Sequence, residues 1–400
     1  LLEHKFLSLG NSPLSNSFVE EKHLKNAEIY YPLDVYICNQ CYLAQIEEAK
    51  PAKDIFSADY AYYSSYSGTW LRHCKNYAET IIERFKLNET SLVVEVASND
   101  GYLLQYFMKK GISVLGVEPA KNVAEIAKRK GIPTDVTFFN VSYARKMIKK
   151  NRRFNFIIGN NVLAHNPDLN GFVEGLKIAL DQKGIITMEF PHLLKLIKNR
   201  QFDTIYHEHF SYFSFHAAKY LFKKHGLILF DVEEIPTHGG SLRIYGKHEN
   251  NKLEPTTDRV RDLLEMEKVS GLLDIDTYYH FGEKVYFAKR KLLQSLIQIK
   301  NDGKKIVGYG APAKGNTLLN YCGIGTDFLD YTVDINPYKQ DKYLPGTHIP
   351  VRHPDIIKKD KPDYLLVLPW NIKDEIIEQM SFIRQWGGEF IIPIPEMRIV

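Results

Sequence analysis

The chain has 400 residues, of which 44% are apolar and 25% charged, an ordinary globular composition with room for two or three cored domains. A formal net charge of +4 on that length gives no electrostatic case for a nucleic-acid partner. No apolar run is long enough to span a bilayer and no secretory signal is visible, so no membrane partner is expected. Four cysteines, Cys38, Cys41, Cys74 and Cys322, do not make a disulfide framework in so long a chain, and a reducing cytoplasm is the expected location. The first residues, Leu1-Leu2-Glu3, include no Met, so an upstream piece is expected.

Three regions follow in chain order. Residues 1–64 form a turn-rich β lobe that carries Cys38-Asn39-Gln40-Cys41. Residues 65–250 alternate apolar strands with helices. Strands are predicted at 92–97, 113–118, 154–159 and 184–190, then at 227–233 and 242–246, a rhythm that reads as a doubly wound sheet. The charged amphipathic stretch from about 256 to 300 reads as long helix. Residues 251–400 hold a second strand–turn–helix–strand unit, beginning at Ile306 and reaching Asp334, with further strands at 364–368 and 389–393. The fold class is therefore α/β, with a central Rossmann-like domain, a small N-terminal β-rich lobe and a second Rossmann-like C-terminal domain.

The first unit carries the most chemistry. The strand ending at Val96 runs into Ala97-Ser98-Asn99-Asp100-Gly101, and the next strand ends in Glu118-Pro119. A turn of small residues lets the backbone approach a ligand, and an acid at the second strand's tip accepts hydrogen bonds from ribose hydroxyls. The turn has one glycine and lacks G-x-G-x-x-G. A pyrophosphate needs several backbone amides at a helix N-terminus; a nucleoside without phosphates does not. This favours S-adenosylmethionine over NAD, with Asp100 facing the methionine amino group and Glu118 the ribose. A plain α/β turn with a surface acid is the alternative. Asn160, Asn161 and His165 follow a later strand, where ligands of open α/β sheets sit.

Tyr206-His207-Glu208-His209 places two imidazoles, a carboxylate and a phenol in four residues. Imidazole titrates near neutrality and suits a general base; on residue type alone, metal binding or packing are equal alternatives, and His207 is the member expected to pack. Thr237-His238-Gly239-Gly240-Ser241 follows an apolar strand, and paired glycines permit close ligand approach. Arg243 lies just beyond, within reach of a phosphate or sugar oxygen; a tight turn before a strand is the equal alternative. Gly308-Tyr309-Gly310-Ala311-Pro312-Ala313-Lys314-Gly315 is glycine-rich between a strand and a helix, as a pyrophosphate cradle would be, with Lys314 adding charge and Asp334 a ribose or base contact. A degenerate unit without ligand is the alternative.

Together these segments resemble the sugar C-3-methyltransferase family, enzymes that use S-adenosylmethionine to methylate nucleotide-linked 4-keto deoxysugars. The resemblance spans nearly the whole chain: the Cys-x-x-Cys, residues 59–67, Glu95–Gly101, Gly116–Ala120, Asn160–His165, Tyr206–His209, Thr237–Arg243 and Gly308–Asn316. It implies His209 as the base that forms an enolate at C3, supported by Glu208 and Tyr206, with His165 and Tyr60 at other catalytic positions. It also implies cofactor contacts from Glu95, Ala97, Ser98, Asn99, Asp100, Gly101, Glu118, Pro119, Asn160 and Asn161. Sugar-nucleotide contacts fall on Tyr62, Ser64, Ser67, His238, Gly239, Gly240, Ser241, Arg243 and Lys314.

The family carries a further Cys-x-x-Cys near its start that this sequence lacks. Tetrahedral zinc takes four ligands, so Cys38 and Cys41 form half a site, and structural zinc is expected in the full-length chain only. A monomer is expected. The competing readings are a sugar O- or N-methyltransferase on the same frame, a nucleotide-sugar-binding protein without catalysis, and an NAD-dependent oxidoreductase using the C-terminal unit.

Overall fold

The structure, a computed structural model, describes residues 4–55, 63–66 and 68–400. Tyr60, Tyr62 and Ser67 lie outside the described residues. An antiparallel N-terminal sheet begins with β1 (His4–Ser12), β2 (Tyr31–Ile37) and β3 (Ala44–Ile46). The central sheet then takes β4 (Leu92–Val96), β5 (Ser113–Val117), β6 (Thr134–Asp135), β7 (Phe154–Asn160) and β8 (Leu180–Pro191). A short strand, β9 (Ser211–Tyr212), leaves this run and pairs with β3, closing the N-terminal sheet in the order β1-β2-β3-β9. The hairpin β10 (Leu227–Ile235) and β11 (Ser241–His248) returns to the central sheet, whose order is β10-β11-β8-β7-β4-β5-β6.

Strands β4 to β8 pair in parallel, and β11 is antiparallel to both of its neighbours, β8 and β10. Helices cover both faces of a parallel sheet, so its strands need apolar side chains on both sides. Val93, Val94, Phe156, Ile157 and Ile158 meet that need and are all buried. The helix Gly68–Phe85 buries Cys74, Tyr77, Ala78 and Ile81, the stripe that a 3.6-residue period lays on one face. Asn140 and Asp168 cap the helices Val141–Lys149 and Leu169–Ala179, each accepting a backbone N–H at 2.9 Å.

Two helices, Asp258–Val269 and Ile275–Asn301, lead to the C-terminal sheet. Its strands are β12 (Ile306–Tyr309), β13 (Thr332–Val333), β14 (Val351–Arg352), β15 (Tyr364–Val367), β16 (Glu389–Ile392) and β17 (Arg398–Ile399), in the order β14-β13-β12-β15-β16-β17. The expected strands are thus present, and the predicted long helix is two helices, broken by the positive-φ Gly271. Among the described residues the N-terminal lobe has no core of its own. Leu7, Leu33 and Val35 share one apolar cluster with Phe202, Val307 and Leu365. The helix Ile275–Asn301 lies so close on β1 that a Cβ at Gly282 would stand 2.8 Å from the Phe6 carbonyl oxygen.

The central strand order reverses beside β4, between β5 and β7. That switch point opens a crevice at the strands' carboxyl ends, where ligands of open α/β sheets bind.

Candidate active site

A cavity of about 350 Å³ occupies that crevice, within the size range of small-molecule sites. All three regions wall it. Ala97, Asn99, Glu118, Asn160, Asn161, His165, Tyr206, Glu208, His209 and His238 come from the central region, Asn16 from the N-terminal lobe, and Pro312, Ala313, Lys314 and Lys339 from the C-terminal one. Four non-glycine residues along this wall hold left-handed backbone: Ala97 (φ 58°), Asn99 (47°), Asn161 (54°) and His238 (54°). Each such residue costs on the order of 1–3 kcal/mol, and such strain clusters at functional sites.

At the cofactor end, the Glu118 carboxylate accepts the backbone N–H of Asn99 at 2.9 Å and of Ala120 at 2.8 Å. Burial raises its pKa to about 7 against those two hydrogen bonds. Asn99 Oδ1 in turn accepts the Ser64 N–H at 3.0 Å, and Ser64 joins the wall. The side chain of Asn160 is buried in the wall with neither amide atom hydrogen-bonded among the described residues. An orphaned amide beside a buried acid at a strand's tip fits a polar ligand such as a nucleoside, since buried polar groups otherwise find partners.

Other expected cofactor residues serve the turn from behind. Glu95 is fully buried beneath it, its carboxyl pushed far upward by burial, with Tyr102 as the polar group facing it. Ser98 is buried against Gly116, whose Cβ would stand 2.4 Å from Ser98 Oγ. Asp100 turns to Lys130, 3.4 Å away. Gly101 has φ 76°, and a Cβ there would strike Ile132 at 2.3 Å. None of these four lines the cavity, whereas Pro119 does.

At the other end, His209 Nδ1 lies 2.9 Å from the Thr204 carbonyl oxygen. A carbonyl only accepts, so Nδ1 carries the proton. In the neutral ring Nε2 is then bare, and it accepts the Tyr206 hydroxyl at 2.8 Å. Burial, then the neighbouring His165, hold His209 well below the ordinary imidazole range. His165 repeats the arrangement: its Nδ1 donates to the Glu208 carbonyl oxygen at 2.7 Å, and burial lowers its pKa to about 4. The two rings stand 4.7 Å apart, edge to face. The Glu208 carboxyl accepts Asn16 Nδ2 at 2.6 Å, and burial raises its pKa to about 7. His207 faces away, bonded to the Pro32 carbonyl oxygen and edge-on to Tyr31.

His238 lies across the cavity with its Nε2 3.1 Å from Asn161 Nδ2, and burial lowers its pKa to about 4. The paired glycines beside it are filled from within the protein. A Cβ at Gly239 would meet Trp370 at 2.7 Å, and one at Gly240 would meet Lys195 at 2.7 Å. Ser241 is buried, its hydroxyl donating to the Thr237 carbonyl oxygen.

Arg243 departs from its expected role. Its guanidinium contacts Glu189 at 2.6 Å and Glu233 at 3.0 Å and lies over the Tyr77 ring. It braces three elements and does not line the cavity. The C-terminal glycines are likewise occupied, Gly310 by Pro369 and Gly315 by Leu368. Asp334 accepts the backbone N–H groups of Ala311 and Asn336 at 2.8 Å. Only Lys314, with Pro312 and Ala313, reaches the cavity from that loop.

Sequence reasoning missed Asn16, Lys339 and Asp203. The first two sit in turns with no motif around them. Asp203 is fully buried and accepts the Trp370 indole N–H at 2.6 Å; it follows the polar run Lys198-Asn199-Arg200-Gln201, and nothing local marked it.

Cys38 and Cys41 occupy a turn in which the Cys38 N–H bonds to the Leu43 carbonyl oxygen. Burial opposes the Cys38 thiolate, but the backbone N–H groups of Cys41 and Gln40 outweigh it and lower its pKa; burial raises that of Cys41. Among the described residues no cluster of three or more metal-capable side chains exists, so these residues alone do not complete a zinc site. Cys74 and Cys322 are buried, and burial pushes the Cys322 thiol up to about 12.

Residues 1–56 match a family described as "Putative zinc binding domain", residues 70–231 a methyltransferase domain, and residues 236–395 a C-methyltransferase C-terminal domain. Among solved structures, a magnesium protoporphyrin IX methyltransferase from Synechocystis PCC 6803 with bound S-adenosylmethionine is 12% identical over 44% of this chain and 79% of that one, with a TM-score of 0.35. The PH0226 protein of Pyrococcus horikoshii OT3 is 14% identical over 49% of this chain and 99% of that one, with a TM-score of 0.39. The C-methyltransferase NovU of Streptomyces niveus is 34% identical over 98% of this chain and 93% of its own length. The chain therefore belongs to the C-methyltransferase family, enzymes that move a methyl group from S-adenosylmethionine to carbon.

Proposed function

We propose that the carbon methylated is C3 of a nucleotide-linked 4-keto deoxysugar and that His209 removes its proton. The observation that carries this reading is the fixed tautomer of His209. The Thr204 carbonyl holds the proton on Nδ1, and burial keeps the ring neutral, so Nε2 presents a lone pair to the cavity side where Tyr206 bonds it. A carbon next to a ketone is acidic enough for such a base, and the product is an enolate nucleophilic at carbon. A hydroxyl acceptor would also need a base but no adjacent ketone, so the position of the new methyl separates the two readings.

Glu118, Asn99, Asn160 and Asn161 are the residues that would hold S-adenosylmethionine, with Glu118 on the ribose. Bound there, the cofactor supplies an electrophilic methyl on a sulfonium. His209 and Tyr206 act as one unit: the hydroxyl occupies Nε2 until substrate enters, and the ring then takes and holds the C3 proton. His165 packs edge-on beside it and fixes the ring's plane. Asn16 orients Glu208. Cys38 and Cys41 would give two of four thiolates to a structural zinc in the full-length chain.

The test is the position of the new methyl. Incubation with S-adenosylmethionine and a panel of thymidine- and guanosine-diphosphate-linked 4-keto deoxysugars, with carbon NMR of the product, is expected to place it on C3. A methyl on oxygen or nitrogen would overturn the reading.

A further inference from the structure

Lys314 enters the cavity from the first turn of the helix Ala313–Cys322. A buried ammonium is costly unless it is paired. This one donates to Asn371 Oδ1 and lies 4.4 Å over the Trp370 ring. No carboxylate among the described residues forms an ion pair with it. The acid that acts on it, Asp203, already accepts the Trp370 indole. An ammonium has three donors, so two remain for something that enters the cavity. The charge of Lys314 also lowers the pKa of both His209 and His238, which puts it within electrostatic reach of the base. The cavity's other lysine, Lys339, is already engaged: it donates to the Ala311 carbonyl oxygen at 2.9 Å and faces Asp334 at 3.7 Å.

We infer that Lys314 is a catalytic residue that donates to the substrate's C4 ketone oxygen and carries the negative charge formed there. The inference rests on the reading of His209 as base. In the step, the C3 proton goes to His209 Nε2. The C–H electron pair becomes the C3–C4 double bond, and the carbonyl pair moves onto oxygen beside the ammonium. When the new carbon–methyl bond forms, the oxygen's pair returns to the carbonyl, the enolate pair makes the bond, and the methyl–sulfur bond breaks with its pair left on the cofactor's sulfur. Donors aimed at developing charge in a water-poor site act mainly on the transition state, so the lysine's effect falls on turnover more than on binding.

The experiment follows C3 deuterium exchange into the same 4-keto sugars in deuterated water without S-adenosylmethionine, for the full chain and for Lys314→Met and Lys314→Arg. Calorimetry reports sugar and cofactor affinity in parallel. Lys314→Met is expected to slow exchange at saturating sugar by about 100-fold or more, with sugar affinity changed by less than about threefold and cofactor affinity unchanged; Lys314→Arg recovers part of the rate. Unchanged exchange at saturation, with sugar affinity lost instead, would place Lys314 on the diphosphate and overturn the inference alone. Absence of exchange in the wild-type chain would remove the His209 reading and this inference with it.

Discussion

The chain contains two strand–turn–helix–strand units built to one plan, and they end differently. In each, an acid at the tip of the second strand accepts a backbone N–H from the turn after the first: Glu118 from Asn99 at 2.9 Å, Asp334 from Ala311 at 2.8 Å. In the central unit the turn bows outward through left-handed Ala97 and Asn99, and Glu118 keeps a face on the cavity. In the C-terminal unit the space a ligand would need is taken by Pro369 and Leu368, and Lys339 closes over Asp334. What the second unit shows to the cavity is Pro312, Ala313, Lys314 and Lys339: a wall and two lysines. A glycine-rich turn after a strand therefore says that something approaches the backbone closely, and only packing says whether that is a ligand or the chain itself.

Substitutions on either side can break this contrast. The largest effect is expected at His209. His209→Asn should reduce turnover by about 10²–10⁴-fold while cofactor affinity measured by calorimetry stays unchanged; wild-type-like turnover would remove it as the base. Arg243→Met should cost on the order of 3–5 kcal/mol in urea unfolding, because it strips the guanidinium from buried Glu189 and leaves that carboxylate only the His73 imidazole. It should leave the sugar's KM nearly unchanged in whatever protein folds, and a KM effect without a stability effect would return Arg243 to the substrate. Glu118→Ala should weaken S-adenosylmethionine by about 1–3 kcal/mol, and Asp334→Asn should leave that affinity unchanged. Equal losses from the two would erase the distinction between the units.

The two ends of the cavity should also titrate differently. Glu118 has its pKa raised to about 7 and accepts ribose hydroxyls best as a carboxylate. Cofactor affinity should therefore rise as pH passes upward through 7, and Glu118→Gln should flatten that rise. His209 must be neutral to act as a base, and its pKa lies below the ordinary imidazole value of 6.5. The acid limb of kcat should therefore fall below pH 6.5, with activity lost as pH drops through it; a limb at or above 6.5 would contradict the burial of that ring.

Much of this was legible before folding. The strands at 92–97, 113–118 and 154–159 are apolar runs buried on both faces, and such runs announce themselves. Glu118 was readable because topology alone places an acid at a strand's carboxyl end beside the crevice. Other features belong to contacts between distant segments. Ser211–Tyr212 is too short to read as a strand and forms only because β3 offers it an edge. Arg243 carries no local mark that distinguishes a phosphate ligand from a brace; the difference lies in Glu189, 54 residues away. Asn16 reaches Glu208 across 192 residues. The tautomer of His209 depends on the Thr204 carbonyl, which no side-chain pattern encodes.

The central claim is that His209, neutral and held in one tautomer, takes a proton from the carbon that is methylated. The most direct measurement is mass spectrometry of a 4-keto deoxysugar nucleotide incubated in deuterated water with the full chain and no S-adenosylmethionine, for the wild type and for His209→Asn. The account predicts uptake of one deuterium at C3 with the wild type and none above background with the variant. Equal uptake by both would contradict it.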